Sequence, residues 1–220
     1  LIMLSSYSVC RAMVMPASFL VVLFYAIYLV VRNGVISYQK ASGLAMFSGI
    51  VIFCFYSFIR LKEMLPVEEY GYDAIFFILL ILCFAWGGDT CAYFAGRAFG
   101  KHKLCPVVSP KKTVEGAVGG VLGTMVFGVL VTVIYSIAAD RMEEFTRSNI
   151  GVSMYVIIAL LACVAAVLGI YGDLFASVVK RQCGIKDYGT IFPGHGGILD
   201  RFDSVMFIAP FVTMVVIAAF

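Results

Sequence analysis

Val164 to Val179 reads VAAVLGIYGDLFASVV, an apolar run with a single charge, Asp173, in its middle. The run is part of a longer apolar stretch over about 151–179, enough to cross a bilayer, which takes roughly 20 helical residues. A carboxylate at membrane depth costs at least about 2.5 kcal/mol even on insertion scales. It therefore faces the interior of a helix bundle, paired or bound to an ion. Together these constraints decide the fold: a bundle of membrane helices with polar chemistry held inside it.

Working outward, the pattern repeats. Leu82 to Gly96, LCFAWGGDTCAYFAG, is another apolar run carrying one aspartate, Asp89. The whole chain is 62% hydrophobic and 13% charged, with a mean hydropathy of +1.02, whereas soluble domains are about half apolar. Continuous runs predict spans at roughly 12–31, 43–59, 74–96, 116–138, 151–179 and 202–220, where barrel strands would alternate every second residue. The expected fold is all-α, one polytopic membrane domain over residues 1–220, with no nucleic-acid partner. The chain starts at Leu1 without a methionine or a signal-peptide pattern. The seven cysteines include no C-x-x-C pair and read as small buried hydrophobes.

With six spans, the loops 32–42, 97–115 and 180–201 share one face. They hold eleven of the sixteen lysines and arginines, which places that face in the cytoplasm. Seven acids from Glu63 to Glu144 lie in the two loops of the opposite face. The basic face also carries the glycine clusters, and chemistry is expected there.

Candidate residues follow from spacing. Ser177 and Lys180 lie at i+4 and i+7 from Asp173, on one helical face. Asp200 and Asp203, at i and i+3, are expected to share a face at the mouth of the last span. With Asp89, four aspartates converge near the cytoplasmic boundary, and oxygen-only ligands suit Mg²⁺, which binds one or two carboxylates plus substrate phosphates. A second, monovalent cation is conceivable there. In SPKKTVEG, Lys111 and Lys112 precede a helix expected to start near Thr113, capped by Ser109 or Thr113, whose free N–H groups suit an anion. Gly196 and Gly197 in PGHGG allow close backbone approach to a ligand. His195 has three open roles: phosphate donor, proton carrier or loop organiser.

Two blocks carry a family resemblance. Ser177 to Asp203, SVVKRQCGIKDYGTIFPGHGGILDRFD, resembles the signature of the phosphatidate cytidylyltransferases, the CDP-diacylglycerol synthases, with every fixed position filled. Gly88 to Glu115 resembles that family's other shared block, and the two regions 88–116 and 173–204 frame the expected site. At Val114 the family often has a bulky aromatic. Its members are usually longer at the N-terminus, so earlier spans are expected to precede this chain. The resemblance implies transfer of CMP from CTP to phosphatidic acid, giving CDP-diacylglycerol and pyrophosphate. It also implies Mg²⁺ dependence, a funnel open to the cytoplasm of a bacterial inner membrane, contact with membrane lipids, and a homodimer. Its metal-binding aspartates correspond to Asp173 and Asp200, with Asp89 and Asp203 holding a second cation or orienting the first. Lys111, Lys112, Lys180, Arg181, Lys186 and Arg201, with Ser109, Gly196 and Gly197, are the expected phosphate contacts. Asp173, Asp200, Lys180, Arg201 and His195 are the expected catalytic set.

Other readings remain at this stage. A secondary transporter of a phosphorylated anion would also place acids and interrupted helices within the membrane. A cytidylyltransferase acting on another lipid phosphate would share the same headgroup chemistry.

Overall fold

Apolar runs bounded by glycine, proline and charge become helices in the computed structural model, which describes residues 19–31, 37–141, 151–190 and 196–219. Close contacts divide the chain into two units, Leu1–Val51 and Ile52–Phe220. The first contains α1, Phe19–Val31, an apolar helix whose Phe24 and Tyr28 rings stack. Helix α2, Tyr38–Met64, begins in that unit and ends in the second. The second unit then runs α3 (Val67–Tyr70), α4 (Asp73–Phe99), a hairpin of β1 (Lys103–Cys105) and β2 (Ser109–Thr113), α5 (Val114–Arg141), α6 (Val152–Gln182), a 3₁₀ turn (Leu199–Arg201) and α7 (Val205–Ala219).

Four of these helices, α2, α4, α5 and α6, are long and apolar enough to cross a membrane. The chain is a polytopic, all-α integral membrane protein, and these helices cover the expected spans from 43 to 179. The first expected span is represented by α1 alone, its residues 12–18 lying outside the described set. The last differs more. Instead of a span from 202, α7 has 15 residues and an internal Pro210, a length of about 22 Å against a hydrocarbon core of about 30 Å. Residues 202–204 form a turn after the 3₁₀ segment, so the helix starts only at Val205.

Helices in lipid gain little from burying apolar surface against each other, so close packing of small residues holds them together. Helices α4 and α5 follow this rule. A Cβ on Gly116 would lie 2.8 Å from the Ala92 carbonyl oxygen, and one on Gly120 3.2 Å from that of Gly88. Thr124 and Thr132 satisfy their buried hydroxyls by donating to the carbonyls of Gly120 and Gly128, both at 2.8 Å. Between α4, α6 and α7 the core is larger: Phe76, Leu80 and Phe84 meet Ile158, Ala162, Val205 and Ile208, each no more than 2% exposed. At the end away from the hairpin, Tyr135 of α5 donates to the buried carboxylate of Asp73 on α4 (2.7 Å) and stacks on Phe76. The six described cysteines are free, but the expectation of buried hydrophobes holds only for Cys54: four are half-buried and Cys183, past the end of α6, is exposed.

One contact ties this packing to the candidate site. At Gly172, next to Asp173, α6 runs against the start of α7, where an added Cβ would lie 2.6 Å from the Asp203 carbonyl oxygen. That oxygen belongs to the main chain and cannot swing aside. Gly172→Ala is therefore expected to cost about 1–3 kcal/mol of stability by overpacking and to displace Asp203. Thermal unfolding of the purified variant checks the first effect. A melting temperature equal to that of the unsubstituted protein would contradict the close approach.

Candidate active site

The site forms where the hairpin, the C-terminal ends of α4 and α6, and the 3₁₀ turn meet. Thr113 ends β2 and caps α5, its Oγ1 accepting the Gly116 N–H at 3.1 Å, so the expected cap is Thr113; Ser109 lies on β2 instead. The strand alternation of β2 separates the two lysines. Lys111 is exposed, while Lys112 turns inward and pairs with Asp173 Oδ2 at 2.5 Å. Glu115 anchors the hairpin from the other side, accepting from the backbone N–H groups of Lys101 and His102 and meeting His102 Nδ1 at 2.7 Å.

Helix α6 presents the expected face in part. Ser177 Oγ donates to Asp173 Oδ1 at 3.3 Å. Lys180, two turns on, reaches across to the 3₁₀ turn and pairs with Asp200 Oδ1 at 2.8 Å. Asp200 Oδ2 accepts two backbone N–H groups, from Tyr188 (2.8 Å) and Gly197 (2.9 Å). Burial pushes the Asp200 carboxyl up, but Lys180 and those two N–H groups outweigh it and hold the group below the usual carboxylate range. Tyr188 fastens the loop to α6 by donating its hydroxyl to the Ala176 carbonyl at 3.0 Å, and the Lys180 ammonium lies 5.2 Å from its ring centre. Burial, then the Asp200 charge, pushes the Tyr188 phenol up to about 12, so it remains a donor. Gly196 has a φ of +82°, and a Cβ there would press on Asp200 Oδ2 at 2.9 Å. The glycines of this loop thus let the backbone wrap around Asp200.

Asp203 is buried, 7% exposed, and its Oδ1 accepts the Ser204 N–H at 3.0 Å. Burial first, and then the negative charges of Asp173 and Asp89, push its carboxyl up to about 7. Asp89 Oδ2 accepts the Ser204 hydroxyl at 2.9 Å. Below it, Asp89, Thr124 and Ser204 line a cavity of about 20 Å³ among α4 to α7, room for one water.

The four aspartates thus divide. Asp89, Asp173 and Asp203 act on one another, whereas Asp200 is engaged by Lys180 and the loop backbone. The expectation that Asp200 and Asp203 share a helical face is corrected: Asp200 lies in the 3₁₀ turn, which ends at Arg201, and Asp203 lies in the turn that follows, ahead of α7, so no single helix carries both. Among the described residues, no three His, Cys, Asp or Glu side chains come close enough together to hold a metal ion. Arg181, Lys186 and Arg201 are exposed around the mouth of the site. His195 lies outside the described residues. Two contributors escaped the sequence reading: Ser204, which bridges two acids, and Trp86, whose indole N–H donates to the Arg201 carbonyl at 3.0 Å. An i, i+3 spacing of Trp86 and Asp89 was the available signal.

The chain is 32% identical over 198 residues to a phosphatidate cytidylyltransferase of Bacillus subtilis, covering 90% of this chain and 66% of that protein. Proteins of the same name from Staphylococcus saprophyticus and Staphylococcus epidermidis are 41% and 42% identical over 145 residues, 66% of this chain and 50% of theirs. The chain therefore spans between half and two thirds of these relatives' length. The model of the cytidylyltransferase family matches residues 1–219, so the chain belongs to that family.

Proposed function

We propose that this chain is a phosphatidate cytidylyltransferase, transferring CMP from CTP to phosphatidic acid at the cytoplasmic face of a bacterial inner membrane, as a homodimer. One observation carries the reading. Asp89, Asp173 and Asp203 gather at one end of a membrane bundle, Asp89 and Asp203 both joined to Ser204, with Lys112 paired to Asp173 and Lys180 to Asp200.

In the reaction, an oxygen of the lipid phosphate attacks the α-phosphorus of CTP. The bond from that phosphorus to the β-phosphate's bridging oxygen breaks, and pyrophosphate leaves with the electron pair. A phosphate monoester is mostly a dianion at neutral pH, its second pKa being about 6, so no general base is required. The obstacle is repulsion between two anions, which positioning and fixed positive charge relieve.

The residues fit a divalent cation by their chemistry: oxygen donors only, partly buried, with burial and then the charges of Asp173 and Asp89 pushing the Asp203 carboxyl up to about 7. Asp173 and Asp200, with Asp89 and Asp203, would hold Mg²⁺, which when bound supplies positive charge to phosphate oxygens. Asp173 and Asp200 each give one oxygen to a lysine ammonium. Those lysines are cations held at the site before substrate arrives, and they are the groups available to the triphosphate. Lys111, Arg181, Lys186 and Arg201 add positive charge at the rim, attracting both the nucleotide and the anionic lipid. The acyl chains remain in the bilayer.

Labelled CTP offered to the purified protein with phosphatidic acid and with other lipid phosphates tests this reading. Label in a CDP-lipid made from phosphatidic acid supports it; label only in another lipid's product would move the substrate, and no lipid product would overturn the reaction. Lys112→Ala is expected to raise the KM for CTP about tenfold, roughly 1.4 kcal/mol. A change confined to the KM for the lipid would assign Lys112 to the other phosphate.

A further inference from the structure

Two side chains of α4, three residues apart, hold the same short segment that leads into α7. Trp86 donates its indole N–H to the Arg201 carbonyl (3.0 Å), and its ring meets Phe202 edge-on at 5.8 Å between centres. Asp89 accepts the Ser204 hydroxyl (2.9 Å). Ser204, only 1% exposed, also gives its backbone N–H to Asp203 (3.0 Å). One residue therefore orients two mutually repelling carboxylates with two neutral donors. A lysine in its place would cancel the negative charge that a cation needs. A neutral donor fixes direction and leaves the charge intact, and each carboxylate keeps a second oxygen.

We propose that Ser204 and Trp86 are positioning residues, a two-point clamp that registers the Leu199–Ser204 segment against α4 and thereby sets how tightly the aspartates hold a divalent cation. The inference rests on the functional reading above for the meaning of that cation, but the clamp is observable without turnover. Hydrogen-bond partners that orient metal ligands are typically worth 10–100-fold in metal affinity. Trp86 is the only tryptophan in the chain, so its emission reports directly on one arm of the clamp.

The experiment uses the purified full chain in detergent with Mn²⁺ alone as probe, its free concentration read by electron paramagnetic resonance. Ser204→Ala is expected to weaken Mn²⁺ binding about tenfold, to shift Trp86 emission, and to leave the melting temperature close to that of the unsubstituted protein. Ser204→Thr, which keeps the hydroxyl, should restore both readings. Trp86→Phe, which keeps ring packing but loses the N–H, should weaken Mn²⁺ binding without removing it. Unchanged Mn²⁺ affinity in Ser204→Ala overturns the proposal. So does weakened binding that follows a fallen melting temperature and is not rescued by threonine, which marks a merely structural role. An unsubstituted protein that binds no Mn²⁺ overturns it as well. A protein that binds Mn²⁺ as described yet makes no CDP-lipid would refute the functional reading while supporting the clamp.

Discussion

Asp173→Asn is expected to fold normally and to lose CTP-dependent CDP-lipid formation by at least about 10³-fold, roughly 4 kcal/mol in the barrier. The substitution preserves shape but removes the charge that faces both Lys112 and the other two acids. Instability cannot account for a loss of that size. The Lys112 and Asp173 side chains are 24% and 26% exposed, and a pair this accessible is screened to about 1 kcal/mol or less. The measurement is turnover at saturating CTP across a range of Mg²⁺, alongside thermal unfolding. Excess Mg²⁺ should not restore the rate, since a weakened ligand set lacks charge wherever the ion is placed. Activity within tenfold of the unsubstituted protein would remove Asp173 from the chemistry.

Asp200→Asn should damage both stability and activity. Here the pair is less accessible, Lys180 being 12% and Asp200 5% exposed in their side chains, and removing one partner costs more than for an exposed pair, up to the roughly 3–5 kcal/mol of a fully buried one. Two backbone N–H groups, from Tyr188 and Gly197, also lose a charged acceptor. The loop that wraps Asp200 should loosen, and activity should fall by about 10²-fold or more. Adding Lys180→Ala to Asp200→Asn separates the pair from the rest: because the residues are in direct contact, the double variant should be less destabilised than the two single effects added together. Strict additivity would show that the two charges do not act as a pair.

The sequence made local features legible and left most non-local ones hidden. Continuous apolar runs identified α2, α4, α5 and α6, because helix length and hydropathy are local properties. The Thr113 cap and the Asp173–Ser177 pairing were readable for the same reason, depending on residues three or four apart. The hairpin from Lys103 to Thr113 was missed, since its strands are short, rich in lysine and proline, and lack an apolar–polar alternation in sequence. Lys180 shares a helical face with Asp173, yet its ammonium goes to Asp200, twenty residues on, through a loop path that periodicity cannot trace. The Trp86 hydrogen bond to the Arg201 carbonyl appears only once α4 is packed beside the 3₁₀ turn. Asp89 and Asp173 were singled out by their cost in a membrane and Asp200 and Asp203 by their spacing, while the division of the four into three and one depended on backbone geometry.

The most direct measurement of the central claim, that aspartates at the membrane boundary gather a divalent ion so that two phosphates can meet, is metal withdrawal and return. Purified protein in detergent, supplied with labelled CTP and phosphatidic acid, is treated with a chelator and then with excess Mg²⁺. The account predicts no labelled lipid after chelation, and CDP-lipid with release of pyrophosphate once Mg²⁺ returns. Sustained lipid labelling in the chelated sample would contradict it.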